Sequence, residues 1–215
     1  MEEEICTVTP FLSPSFSILL FMKIISLNIR GIGVGKESKV DWLKKVCRIE
    51  KPNILLLQET KLHSVDINWI RVLWGNHNCD FIQKEIVEKS GGQLIIWDTS
   101  VYDVVDSFIS EFCIGVHGNW VGSGKDFYTI NIYGPHDDPN KLRMWDFLSS
   151  LLCNNEDAWV LGGDFNEVRE EDDRFNCVFV ESRVKKFNEF IADNRLIDIP
   201  LGGRKFTRVS DDGLI

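Results

Sequence analysis

No two of the six cysteines in this 215-residue chain form a Cys-x-x-Cys pair; Cys6, Cys47, Cys79, Cys113, Cys153 and Cys177 stand singly. That scatter argues against a zinc ribbon, a dithiol redox motif and a small disulfide scaffold, and it fits a reducing compartment, the nucleus or the cytoplasm. Proline is scarce, at 6 residues, and no internal repeat or low-complexity linker occurs, which excludes collagenous and disordered chains. Positive charge is in deficit: 24 Lys and Arg against 33 Asp and Glu leave a net charge of -9. Bulk charge is therefore the wrong sign to hold a phosphate backbone unaided, whereas an enzyme that meets phosphate through a metal ion is unaffected. Nothing after Phe21 is apolar for long enough to span a bilayer, and no membrane partner is expected. The early apolar stretch, Ser17 to Phe21, follows Glu2, Glu3 and Glu4 rather than a basic segment. It is also preceded by Pro10 and Pro14 and leads to no small-residue cleavage site, which argues against a secretory signal. Residues 1–21 are expected to lie outside the fold, with one domain from Met22 to Ile215.

With 44% hydrophobic and 11% aromatic residues, the chain has ample material for a core. From Met22 it alternates β-rich runs with amphipathic helical ones. Strands are expected at Lys23–Ile29, Ile54–Leu57, Asp80–Ile86, Gly92–Trp97, Val101–Ile109, Ile114–Trp120, Phe127–Tyr133 and Ala158–Leu161. Helices are expected around Val40–Cys47, where Val40, Leu43, Val46 and Cys47 share helical spacing, and at Asp66–Trp74, Asn140–Leu152 and Ser182–Asp193. The consecutive middle strands exceed what a doubly wound parallel sheet needs, so the class is mixed α/β.

Polar residues cluster where strands end, the positions from which a scaffold presents side chains rigidly. Asn28 sits within the first strand, Glu59 follows the Ile54–Leu57 run, and Tyr133-Gly134-Pro135 closes the strand containing Thr129–Ile132. Asp164 and Asn166 follow Ala158–Leu161 through Gly162-Gly163. Any one of these could be a surface carboxylate, a turn cap or a plain Gly-Gly-Asp turn. Together, from separate parts of the chain, they form the pattern of a convergent active site.

The ordered set Leu27-Asn28-Ile29-Arg30-Gly31, Leu57-Gln58-Glu59-Thr60, Ile132-Tyr133-Gly134-Pro135 and Gly162-Gly163-Asp164-Phe165-Asn166 resembles the endonuclease/exonuclease/phosphatase (DNase I-like) family. Its wording is most similar to the endonuclease domain of plant LINE-type, non-LTR retrotransposon polyproteins, and the resemblance runs from Met22 to about Thr207. It implies a four-layer αββα sandwich, α/β (α+β) in class, with two packed mixed β-sheets, helices outside and a site at one edge. It further implies a Mg²⁺- or Mn²⁺-dependent phosphodiester hydrolase that nicks DNA, acts as a monomer and works beside a reverse transcriptase domain. Glu59 would hold the metal, with Asn28, Asp164 and Asn166 around it, since a hard divalent ion prefers carboxylate oxygen and water. Asp164 would deprotonate the attacking water. Asn28, Asn166 and Tyr133 would contact the phosphate, Tyr133 also serving the leaving group, and Arg204 would be a further substrate contact.

The family pattern closes with a Leu-Asp-Arg strand and a Ser-Asp-His motif, and neither occurs here: Ser210-Asp211 is followed by Asp212, and Thr207 by Arg208 where Trp is usual. None of His63, His77, His117 and His136 follows a Ser-Asp pair, and His136 reads as a turn or rim residue. The expectation is therefore a domain lacking its C-terminal strands, with activity impaired by loss of the Asp-His pair. The alternatives are a small-molecule phosphoesterase of the same fold and a catalytically inactive retroelement remnant. No Tyr-x-Asp-Asp signature occurs in these residues, so they encode no polymerase site.

Overall fold

A computed structural model of the chain describes residues 11–12, 22–32, 37–87, 90–153, 158–170 and 180–199. The elements run β1 (Phe11–Leu12), β2 (Ile24–Asn28), α1 (Glu37–Glu50), β3 (Ile54–Gln58), α2 (Ile67–Trp74), β4 (Cys79–Val87), β5 (Ser90–Asp98) and β6 (Tyr102–Ile109). They continue with β7 (Cys113–Trp120), β8 (Lys125–Tyr133), α3 (Asp138–Cys153), β9 (Ala158–Asp164), α4 (Glu181–Asp193) and β10 (Ile197–Asp198). Every strand and helix expected from the periodicity is present.

The strands form two sheets, ordered β2-β3-β5-β4 and β10-β1-β9-β8-β7-β6. Each is mixed: β2–β3 and β8–β9 run parallel, while the other pairings are antiparallel. Period-two alternation explains the layering. On β3, Ile54 and Leu56 enter the core between the sheets, with Ile95, Trp97, Ile114, Phe127 and Val160. Leu55 and Leu57 turn the other way, beneath Leu43 and Val46 of α1 and Ile70 and Leu73 of α2. The second sheet does the same: Ile130, Ile132 and Leu161 pack under Met144 and Leu148 of α3 and Phe187 and Ile191 of α4. The result is the four-layer sandwich that the motif resemblance implies.

Local signals set the helix ends. The Asp66 carboxylate accepts from the Asn68 and Trp69 backbone amides at 2.7 and 3.0 Å, capping α2, and Gly75 (φ 96°) terminates it in a left-handed conformation. Among the described residues no helix is long and apolar enough to cross a membrane.

Two short strands were not legible in the sequence. Phe11–Leu12 pairs antiparallel with both β9 and β10, so a domain boundary at Met22 leaves out a strand of the second sheet. Two-residue strands carry no periodicity to read.

Candidate active site

The sandwich brings the carboxyl ends of two parallel strand pairs to one edge. In register, Asn28 lies beside Gln58 and Tyr133 beside Asp164. Glu59 is the next residue after β3. Five of the six residues singled out for the site therefore meet there; Arg204 lies outside the described residues.

Asn28 is the hub. Its side-chain amide donates to Glu59 Oε1 at 2.9 Å and to Asp164 Oδ2 at 2.7 Å, spanning the two sheets and holding two like-charged groups close together. The Asn28 Oδ1 accepts the Arg30 amide at 3.2 Å. Tyr133 is half-buried in the same cleft. Burial first, and then the negative field of Glu59 and Asp164 with a hydrogen bond to the Glu59 side chain, push its phenol well above the ordinary tyrosine value. The Tyr133 hydroxyl thus stays protonated near neutral pH and can act there as a donor, not a base.

Opposite, the Asn166 amide N–H donates to Asp164 Oδ1 at 2.9 Å, so each oxygen of Asp164 has its own donor. The Asn166 side-chain amide donates to the Gly134 carbonyl at 2.6 Å, tying the β9 loop to the turn after Tyr133. The backbone is unusual here: Glu59 (φ 50°), Asn166 (φ 53°) and Arg30 (φ 46°) are left-handed without being glycine, a mild strain typical of residues held for function. Gly163 (φ 133°) faces the Ile132 carbonyl so closely that a Cβ would collide with it, which accounts for the Gly-Gly step before Asp164.

Two carboxylates facing one cleft suit a hard divalent cation such as Mg²⁺, which keeps several waters; the Asn28 oxygen, bonded here by the Arg30 amide, would join them only on rotation of the side chain. No group of three or more acids, cysteines and histidines that could hold a metal occurs among the described residues. His136 is exposed on the turn after Pro135. A separate groove of about 630 Å³, lined by Lys44, Arg48, Lys51, Trp74 and Asp98, lies at the far end of β3 from Glu59.

Two supporting layers reach beyond the four motifs, which contain only Gln58 among the side chains that build them. Beneath the cleft, Gln58 Nε2 donates to Asn131 Oδ1 at 2.6 Å and to Ser26 Oγ at 3.1 Å. Asn131 Nδ2 donates back to the Leu57 and Leu94 carbonyls at 3.0 and 3.1 Å, stitching one sheet to the other. Behind Asn166, the buried Lys141 ammonium reaches its carbonyl and the Glu167 carboxylate, both at 2.7 Å. An Asn inside an apolar strand and a Lys in an amphipathic helix hint at such roles, but each reads equally well as a solvated face.

The fold and its cleft define a phosphoesterase-type sandwich. The chain belongs to the endonuclease/exonuclease/phosphatase family, which it matches over residues 25–178. Over 79 residues it is 29% identical to the Transposon TX1 uncharacterized 149 kDa protein of Xenopus laevis, a stretch that covers 36% of this chain and 6% of that protein. Among solved structures, AP endonuclease LMAP from Leishmania major superposes with a TM-score of 0.63 at 17% identity, covering 90% of this chain and 74% of that one. A humanized D. rerio TDP2 superposes with a TM-score of 0.51 at 16% identity, covering 68% of this chain and 63% of that one. At these identities the structural likeness concerns the fold.

Proposed function

We propose that this domain is a metal-dependent phosphodiester hydrolase of the retrotransposon endonuclease type, nicking DNA by attack of an activated water at phosphorus. The observation that carries the reading is the Asn28 amide bridging Glu59 and Asp164, with the Tyr133 phenol held protonated beside them. Glu59, with Asp164 and Asn28, would hold Mg²⁺ or Mn²⁺, which when bound supplies charge neutralisation at the phosphate. Asp164, its two oxygens fixed by separate donors, orients and deprotonates the water. Tyr133 donates its proton toward a phosphate oxygen or the leaving oxygen. Asn166, anchored by its side-chain amide on the Gly134 carbonyl, lies beside Asp164 where charge would develop on the phosphate. The match to a transposon protein and the four-motif wording support a retroelement setting, with DNA as substrate and a reverse transcriptase domain as neighbour. The likeness in fold to LMAP, an AP endonuclease, is in keeping with that reading.

The test is conversion of supercoiled plasmid to open circle. With no Ser-Asp-His among the 215 residues, turnover is expected to be weak, so nicking is read at high enzyme concentration. Ion-dependent nicking that disappears in Glu59→Ala supports the reading. Phosphate release from inositol phosphates without nicking would move the domain to the small-molecule branch of the fold, and neither activity in a folded chain would favour the inactive remnant.

A further inference from the structure

The loop from Asp164 to Glu167 is pinned from behind. Phe165 sends its ring into the aromatic cluster beneath α3 and α4, 6.1 Å from Trp145 and 5.6 Å from Phe187. That anchoring turns Asp164 and Asn166 toward the cleft. Lys141 of α3 then closes on the loop: its ammonium bonds the Asn166 carbonyl and the Glu167 carboxylate, and the side chains of this ion pair are only 7% and 3% exposed. A buried ion pair is seldom kept for stability, because desolvation cancels much of the attraction and an apolar pair usually serves as well. This one ends on the backbone of a residue held at φ 53°, whose N–H fixes Asp164 Oδ1 while Asn28 fixes Asp164 Oδ2.

We infer that Lys141 is a positioning residue for the hydrolase: through the Asn166 carbonyl it locks the left-handed turn that aims the Asp164 carboxylate at the reacting water. The inference rests on the hydrolase reading for its catalytic consequence, while the locking itself is a property of the loop. Lys141 is buried behind the loop and acts only through it. Its effect runs from ammonium to Asn166 carbonyl, from Asn166 N–H to Asp164, and so to the carboxylate that accepts the proton. Freeing that turn lets the carboxylate wander, and a displacement of the order of 1 Å at a reacting group costs about 10²-fold in rate.

The experiment uses the full chain with Lys141→Met/Glu167→Leu, which replaces the pair by apolar side chains of similar size. The double variant is expected to melt within a few degrees of the parent. Its Asn166 amide should nonetheless exchange with solvent roughly tenfold faster or more. Its kcat for Mn²⁺-dependent nicking should fall about 10²-fold, with KM changed by less than about threefold. A folded double variant with parental Asn166 exchange and parental kcat overturns the proposal, because a merely structural pair is fully replaced by the apolar one. Should the double variant fail to fold, Lys141→Met and Glu167→Gln decide the matter by exchange alone. Glu167→Gln keeps an acceptor for Lys141 and is expected to leave Asn166 protected, whereas Lys141→Met is expected to expose it. Equal deprotection in both would assign the effect to the ion pair itself and overturn the assignment to the Asn166 contact. A parent that nicks nothing defeats the endonuclease reading, and exchange at Asn166 still tests the lock.

Discussion

The space between the two sheets is filled differently at its two ends. Far from the carboxylates, Ile54, Trp97, Tyr102, Trp120 and Phe127 form an apolar joint, with Tyr102 stacked on Phe127 at 4.5 Å. Near the carboxylates, Ser26, Gln58, Gln93 and Asn131 are buried instead, and Asn131 links β8 to both β3 and β5. Apolar packing is non-directional and tolerates small shifts. A buried hydrogen-bonded lattice admits one arrangement and penalises others by leaving groups unpaired. The chain thus places directional bonding where the positions of Asn28, Glu59 and Asp164 must be fixed.

Removing one member at each end is the strongest way to break that contrast. Asn131→Leu strips donors from two buried carbonyls and a partner from Gln58, and should cost about 3 kcal/mol or more by chemical denaturation. Ile54→Ala, in the apolar joint, should cost about 2–5 kcal/mol. The stability losses are comparable, but only Asn131→Leu should also weaken divalent-ion binding. Equal effects on ion binding would mean that the polar layer does no positioning. At the site end, Gly163→Ala forces a Cβ against the Ile132 carbonyl at a φ of 133°; it should lower the melting temperature and abolish ion binding together.

Two tyrosines sharpen the comparison. Tyr102, at the apolar end, is pushed above the ordinary tyrosine value chiefly by burial, and Tyr133, at the site, by burial and by Glu59 and Asp164. Glu59→Gln should therefore bring the Tyr133 titration down and leave Tyr102 unmoved, as read by ring-resolved NMR. With both phenols held up in the folded state, the unfolded chain loses its protons first. The buried thiols of Cys47, Cys79 and Cys113 are pushed up in the same sense, so stability should begin to fall as pH rises past about 9 and fall further past about 10 as the phenols join. The smallest effect belongs to the periphery: Asp66→Ala, which removes the α2 cap, should cost about 1 kcal/mol and leave the site intact.

The same contrast explains what the sequence could disclose. Strand ends followed by Glu59, Tyr133 or Asp164 interrupt apolar runs, so the site's first residues are legible, and the strand and helix periodicities are strong enough to place the larger elements. Asn131 is not legible in the same way. On β8 the inward face, Phe127, Thr129, Asn131 and Tyr133, alternates with Tyr128, Ile130 and Ile132 beneath the helices. The alternation Thr129-Ile130-Asn131-Ile132 reads as a strand whose polar face meets water, whereas both faces are covered in the fold, so nothing marks Asn131 as the residue that bridges the sheets. Lys141 is hidden by an equivalent ambiguity, since a Lys near the start of a helix ordinarily faces water, and only tertiary contact with the Asn166 carbonyl draws it inside. Phe11–Leu12 and Ile197–Asp198 become strands solely by pairing with each other and, for Phe11–Leu12, with β9.

The central claim, that Asn28, Glu59 and Asp164 make one divalent-ion site, is tested most directly by calorimetric titration of the chain with Mn²⁺. A single binding event is expected at millimolar ion or below, lost in Glu59→Ala, weakened in Asn28→Ala and retained in the folded Ile54→Ala variant. Binding of unchanged strength in Glu59→Ala would contradict it.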